Sequence, residues 1–354
     1  MDLILPDLPV NDAITPTPYP TGILTKRPWH SFVKTNGYLA LAKRLSIKVY
    51  SQMSAAEILW KTFSNNDSLF DLWDFRKAFF ESFNIEPYFL TIFDKHEDAI
   101  LGMLPLWLDD DEFEGKYSWY GGYWPENNTF FVKDPEIIPL LLMAAPQPLY
   151  LSCIKPLDEY EFLKTLPGFS LEEESKFFLP IAEYSSLDSY LLKLKKKKRH
   201  NLRRDRKRIL SYNPRIIIND FHHIEDMFRL SIERFSVGTN GSRRSESVYT
   251  DSRHQNLFRR LIENDRDYEV RTIATEINGT IEAVEIGFIY NKTFYSVSSG
   301  ANIVDYSGLG VYSNLLVIEE ALKSGCTKID FLEGDYNWKN SWDLTSYREY
   351  KFIK

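Results

Sequence analysis

Cysteine is scarce in this sequence: there are two in 354 residues, Cys153 and Cys326, and neither belongs to a Cys-x-x-Cys pair. That excludes a disulfide framework and a zinc knuckle as sources of stability, and it fits a reducing compartment. Long apolar runs are missing as well, so nothing reaches the ~20 residues that a membrane-crossing helix needs. The opening Met1-Asp2 has no basic leader and soon meets Pro6 and Pro9, which argues against a signal peptide. A cytoplasmic protein is expected. Net positive charge is also lacking. The formal balance is -7, so the chain as a whole does not read as a nucleic-acid binder.

What is present is apolar and aromatic material enough for two cores, 44% hydrophobic and 15% aromatic. Pro6, Pro9, Pro16, Pro18, Pro20 and Pro28 mark residues 1–45 as an extended arm. A strand is expected at Ser46–Tyr50, then helices over 54–61 and 69–83. A hairpin of Pro87–Phe93 and Ala99–Trp107 follows, then the aromatic stretch Tyr117–Trp124 and a short helix over 135–144. Pro135 suits the first turn of that helix, and Pro139 counts against it. The second half repeats the order. A basic helix over 187–211 leads to a strand at Pro214–Ile218 and helices over 224–235 and 251–264. Strands follow at 268–276, 280–290 and 293–301, the first two joined by the hairpin dipeptide Asn278-Gly279. The repetition is of pattern and not of letters. It predicts two tandem α/β (α+β) units with mixed sheets flanked by helices, one over 46–178 and one over 179–354.

The strand Thr293–Ser299 runs into Asp305-Tyr306-Ser307-Gly308-Leu309-Gly310. A helix then starts, with Val311, Leu315, Ile318 and Leu322 on one face, Gly325 as its stop, and the strand Lys328–Leu332 after it. First-turn amides have no intrahelical partner and the helix dipole adds partial positive charge, so such a turn can hold an anion. Glycines at 308 and 310 let a ligand approach the backbone. Taken alone, Gly-x-Gly before a helix is as often a plain connection.

Further residues extend the pattern: Asp330-Phe331-Leu332-Glu333-Gly334-Asp335-Tyr336-Asn337-Trp338-Lys339, then Trp342, and upstream Arg199-His200-Asn201-Leu202-Arg203-Arg204. In this order and spacing they resemble the FemAB-like/BioF2-like (CelD-type) GNAT acyltransferases. The resemblance covers about residues 190–348 by motif and 46–175 by layout. It departs from the family at Trp338, where a tyrosine often precedes the lysine. The resemblance implies two tandem GNAT-like domains, the first degenerate and the second an acyltransferase. Ser307, Gly308, Leu309 and Gly310 would then hold an acyl-CoA-like donor, with Arg203 and Arg204 on the family's opening helix beside it.

Acyl transfer to an amine needs a proton acceptor and a group facing the developing oxyanion. Glu285, a carboxylate within an apolar strand, is the leading candidate base, since burial raises a carboxyl pKa towards neutrality. Its plain alternative is an outward-facing or arginine-paired glutamate. Lys339 is a candidate for the oxyanion or for an acidic substrate group, or is a surface lysine. Asp305 could orient substrate or cap the helix, a role that geometry would sooner give to Ser307. Tyr312 and Tyr336 are candidate acids for the leaving thiol, with core packing as the simpler role. His222-His223 has nothing to complete a ligand set, so no metal is expected. The aromatic cluster Trp119 to Trp124 could line a pocket or simply pack.

Lys193, Lys195, Lys196, Lys197, Lys198, Arg199, Arg203, Arg204, Arg206, Lys207 and Arg208 stand against Asp205 alone, a local net of +10. Such a run is usually a solvated face. Its density here favours a polyanionic partner: a nucleotide donor, a tRNA or an anionic lipid-linked substrate. Three functions follow. The first is an N-acyltransferase using an acyl-CoA-like thioester on an amine acceptor, such as an amino sugar or a cell-envelope or polysaccharide precursor. The second is a FemAB-like, aminoacyl-tRNA-dependent transferase acting on a cell-wall precursor. The third is an inactive GNAT-like module that binds a polyanion.

Overall fold

A computed structural model of the chain describes residues 43–109, 115–122, 124–236, 246–263, 267–334, 338–339 and 342–354. The arm expected over 1–45 falls almost wholly outside these residues, as do Asp335, Tyr336 and Asn337. In chain order the first elements are β1 (Leu45–Tyr50), α1 (Met53–Phe63), α2 (Trp73–Phe83), β2 (Tyr88–Asp94), β3 (Ala99–Asp109), β4 (Lys116–Trp119) and β5 (Phe131–Val132). Next come α3 (Ile138–Ala144), β6 (Tyr150–Ile154), β7 (Phe169–Leu171), β8 (Lys176–Pro180), α4 (Leu187–Lys193), α5 (Lys196–Leu210) and β9 (Arg215–Ile218). The chain continues through α6 (Ile224–Ser236), α7 (Ser252–Glu263), β10 (Glu269–Ile277), β11 (Thr280–Tyr290) and β12 (Thr293–Ala301). It ends with α8 (Leu309–Lys323), β13 (Lys328–Glu333), β14 (Thr345–Tyr347) and β15 (Tyr350–Ile353).

Two sheets share one plan. In the first half a strand, two helices and a meander follow one another, and β1-β2-β3-β4 lie side by side with β5 on β3. In the second half β9, α6, α7 and β10-β11-β12 repeat that order, and β9 to β12 are neighbours. The tandem α+β arrangement read from the pattern is thus present in space. The turn at Asn278-Gly279 closes the hairpin as its letters require: both residues have positive φ, 53° and 81°.

Four features depart from the sequence reading. The basic helix is not continuous over 187–211: Leu194 and Lys195 are extended and split it into α4 and α5. The break turns Leu194 into the core beside Leu191, and it interrupts a row of like charges that would repel at helical spacing. Pro139 does not spoil the helix over 135–144. A 3₁₀ turn at Pro135–Ile137 precedes α3, which leaves Pro139 in the first α-turn, where no N–H is needed. The aromatic strand stops at Trp119, and Trp119 and Tyr120 are buried, so there they pack. Strand β8 was not foreseen. It extends the second sheet, whose order is β14-β8-β13-β12-β11-β10-β9, while β15 sits between β6 and β7.

One apolar core runs between the two sheets. Phe75 on α2 meets Phe288 of β11 and Tyr268 edge-on, with ring centroids 5.8 and 6.0 Å apart, and Trp60, Met227 and Phe258 belong to the same cluster. Edge-on aromatic pairs add to the gain from burial, so this seam stabilises both halves together. Phe75→Ala is therefore expected to cost about 3–5 kcal/mol. The chain should still unfold in one transition followed by circular dichroism. Two separated transitions, with one half unaffected, would contradict a shared core.

Candidate functional site

Strands β12 and β13 run parallel and pair only over Thr293–Tyr295 and Lys328–Asp330. Beyond that point β12 stays with β11 as far as Ala301, whereas β13 turns away. The turn is built by side chains. Asp330 Oδ1 accepts from the Leu332 N–H at 3.0 Å, Leu332 takes φ +61°, and the pairing with β8 slips between Asp330 and Glu333. A leucine in the left-handed region costs roughly 1–2 kcal/mol, so neighbours must hold it. Lys339 Nζ donates to the carbonyls of Leu332 and Glu333, each at 3.0 Å, and the Glu333 N–H donates to Glu126 Oε1 at 2.8 Å.

At the far end of β12 lies the glycine turn. Asn302 organises it: its Nδ2 donates to Glu282 Oε2 at 3.0 Å and to Asp305 Oδ2 at 2.9 Å, and its Oδ1 accepts from the Asp305 N–H at 3.1 Å. Asp305 therefore shapes the turn. The residue that caps α8 is Gly308, at φ +96°, and not Ser307. A Cβ on Gly308 would lie 3.1 Å from Asp205 Cβ, so α5 packs directly against the turn. Gly310 differs. Its φ is ordinary, and among the described residues an added Cβ would meet only Ile303 Cγ2, at 3.7 Å. Neither strain nor packing asks for glycine there, although glycine disfavours a helix by about 0.8–1.0 kcal/mol against alanine.

Helix α5 brings its cations to this turn selectively. Arg208 Nη1 donates to Ser307 Oγ at 2.9 Å and to the Ser307 carbonyl at 3.2 Å. Arg204 pairs with Asp205, the residue under Gly308, at 2.8 Å. Arg203 reaches instead towards Asp188 at 3.8 Å, and Arg206 towards Glu319 of α8 at 3.9 Å. Arg203 and Arg204 were the two expected beside the donor, whereas Arg208, named only as part of the basic run, is the one that bonds Ser307. The helical spacing from Arg204 to Arg208 carried that signal.

Glu285 lies in register between Ile273 and the exposed Ser299, and two residues from Ala283, whose cluster includes Leu309 and Tyr312. Alternation along β11 puts it on the face covered by α5 and α8. It is buried, and it has no side-chain hydrogen bond among the described residues. Burial lifts its pKa from 4.5 to about 8, against a smaller pull from Arg234. Tyr312 is buried in the same cluster, and burial raises its pKa also.

Lys339 is placed elsewhere. It is buried, its pKa is lowered to about 8 by desolvation, and its ammonium lies 5.1 Å from the Phe177 ring. Around it stands a group that sequence reading missed. Lys176, fully buried on β8, pairs with Glu126 and with Asp330, the latter at 3.1 Å. Half-buried Glu333 accepts from Cys153 Sγ at 3.3 Å, and its pKa rises to about 7, first through burial and then through Glu126. Among the described residues no group of His, Cys, Asp and Glu is arranged for a metal ion, and no helix is long and apolar enough to cross a membrane.

A sheet whose parallel neighbours part beside a glycine-capped helix, in tandem with a second sheet of the same plan, defines a GNAT-type fold. Residues 196–340 match the family model described as an acetyltransferase (GNAT) domain. The solved structure titled "Crystal structure of FemX" is similar over 87% of this chain and 97% of that one, at 12% identity and a TM-score of 0.56. A conserved protein of unknown function from Bacteroides thetaiotaomicron matches over 87% and 100% of the two chains, at 15% identity and a TM-score of 0.51. L-PGS from Bacillus licheniformis matches over 86% and 92%, at 10% identity and a TM-score of 0.51. At such identities the likeness is one of fold. No curated protein sequence matches the chain.

The raised pKa of Glu285 gives a pH test. The folded protein keeps this proton between pH 4.5 and about 8, where the unfolded chain has released it. Stability from this group is therefore fullest below that window and falls as pH rises through it. Glu285→Gln is expected to flatten the decline of melting temperature across the window relative to the parent. Parallel curves for the two proteins would show an ionised, solvated Glu285.

Proposed function

We propose that the chain is an N-acyltransferase that moves an acyl group from an acyl-CoA-like thioester to an amine acceptor, in an amino sugar or a cell-envelope or polysaccharide precursor. The observation that carries the reading is Gly310: a glycine in the first turn of α8 that neither packing nor backbone strain requires. Space left open at a helix N-terminus, beside Arg208 and the cations of α5, suits the phosphates of such a donor. The donor's acyl arm would run from Ser307–Gly310 into the opening between β12 and β13. Arg203 and Arg204 would add charge at longer range, and Asp305 would hold the turn in shape through Asn302.

Glu285, in its ionised carboxylate form, would take the proton of the attacking amine as general base. Lys339 would act through the Leu332 and Glu333 carbonyls that it holds, keeping the lip of the opening in place. In this reading the second unit, beginning near 179, carries the chemistry and the first contributes a wall. The density of α5 favours one alternative, an aminoacyl-tRNA donor whose backbone would lie along that helix.

Gly310→Ala is expected to melt at or above the parent temperature and to lose the thermal stabilisation given by CoA. Unchanged stabilisation would remove this turn as the donor site. Gly308→Ala cannot serve, because its φ and its contact with Asp205 would strain any side chain. Glu285→Gln should lower thioester turnover by about 10²–10⁴-fold. Turnover with charged tRNA and none with acyl-CoA would select the alternative.

A further inference from the structure

The carboxylates beside Lys176 have no part in the donor site, and among the described residues they outnumber the cations that face them. Glu126, Asp330, Glu333 and Glu349 converge there from the loop after β4, the two ends of the bend in β13, and the residue before β15. Lys176 serves Glu126 and Asp330, and Lys339 is turned to the carbonyls of Leu332 and Glu333. Glu349 is left over. It is 1% exposed, and both its carboxyl oxygens are buried without a hydrogen-bond partner among the described residues. It lies two residues from Tyr347, which pairs with Lys176 across β14 and β8, and after burial itself the charges that act on it most are those of Lys176, Glu126, Asp330 and Glu333. A buried carboxyl with neither oxygen paired is costly, by about 1–3 kcal/mol or more, and such groups call for a partner. Of the four carboxylates Glu333 alone is not fully buried, and it stands at the lip of the parted strands.

We propose that this seam is the acceptor site, and that it takes a primary alkylammonium group held between Glu333 and Glu349. The inference rests on the acyltransferase reading and names the charge of its acceptor. A cation there would give Glu349 its missing donors and offset the excess of carboxylates over Lys176. A neutral hydroxyl of the same shape could donate one hydrogen bond only and would bring no charge. The site would then select amines before any chemistry, and the acyl group entering between β12 and β13 would meet a nitrogen already placed at the lip. Arrangement of the seam, and not of the glycine turn, would set which acceptor is used.

The test uses the full chain with cadaverine and tyramine as ammonium probes, and with pentane-1,5-diol and 4-(2-hydroxyethyl)phenol as neutral counterparts, in isothermal titration at fixed ionic strength. At least one amine should bind and neither neutral compound should. Glu349→Gln and Glu333→Gln should each weaken the amine at least 10-fold while leaving stabilisation by CoA unchanged. Lys61→Gln, an exposed surface change, should leave amine binding as it is. No amine binding to the parent, equal binding of the neutral compounds, or full binding in both glutamine variants would overturn the proposal. The donor reading would survive any of these results if CoA still binds in a Gly310-dependent way. If CoA binding fails while the amines bind, the seam stands as a cation site and the transferase reading falls.

Discussion

The bend in β13 depends on a buried lysine. Lys176 comes from β8, outside the strand that bends, and binds Asp330 on one side and Glu126 on the other. Asp330 in turn holds the Leu332 N–H, and Glu126 holds the Glu333 N–H, so one ammonium anchors both sides of a backbone step that leucine avoids. Burying three such charges has a large desolvation cost, and an apolar trio would often be at least as stable. The gain here is one of geometry. With the step in place, β13 leaves β12 after three residue pairs, and a gap opens inside an otherwise continuous sheet.

That gap couples the two halves of the chain. Glu126 belongs to the first half, Lys176 to the strand that joins the second sheet, and Asp330 to the second half itself. The first unit is thus more than a copy carried along: it supplies a charge without which the lip of the gap has no acceptor. The terminal strand β15 works in the same sense, crossing back to pair with β6 and β7 and bringing Glu349 to the seam. The aromatic seam around Phe75 then fixes the two sheets by dispersion and burial, which are indifferent to direction, whereas the ionic seam fixes register.

What could be read from the sequence divides along the same line. The hairpin at Asn278-Gly279, the amphipathic α8 and the glycine turn are local, written in residues within a turn or two of each other, and they stand where they were expected. The break at Leu194 was not legible, because helical periodicity runs through it and only the demand of the core for Leu194 stops the helix. Strands β8 and β15 were hidden for another reason: β8 pairs with Lys328–Asp330 and β15 with Tyr150–Ile154, far away in the chain. Glu285 was legible as a carboxylate in an apolar strand. Lys176, Glu333 and Glu349 were not, since each is an ordinary charged residue until the fold brings the others to it.

Gly308 and Gly310 show how two identical residues in one motif carry different information. The first is explained by the fold: left-handed backbone and the close approach of Asp205 leave no room for a side chain. Its presence would follow in any protein with this turn, whether or not anything binds. The second is unexplained by the fold, and a residue that lowers helix stability without a structural return points outward, to whatever approaches the first turn of α8. Arg208 strengthens that reading, because its guanidinium sits on Ser307 at the mouth of the turn and not on an acidic partner. Under the proposed function, helix α5 would neutralise a charged donor at one end, while the exposed Lys196 and Lys197 at its beginning, near α4, would extend the positive field along a longer anion.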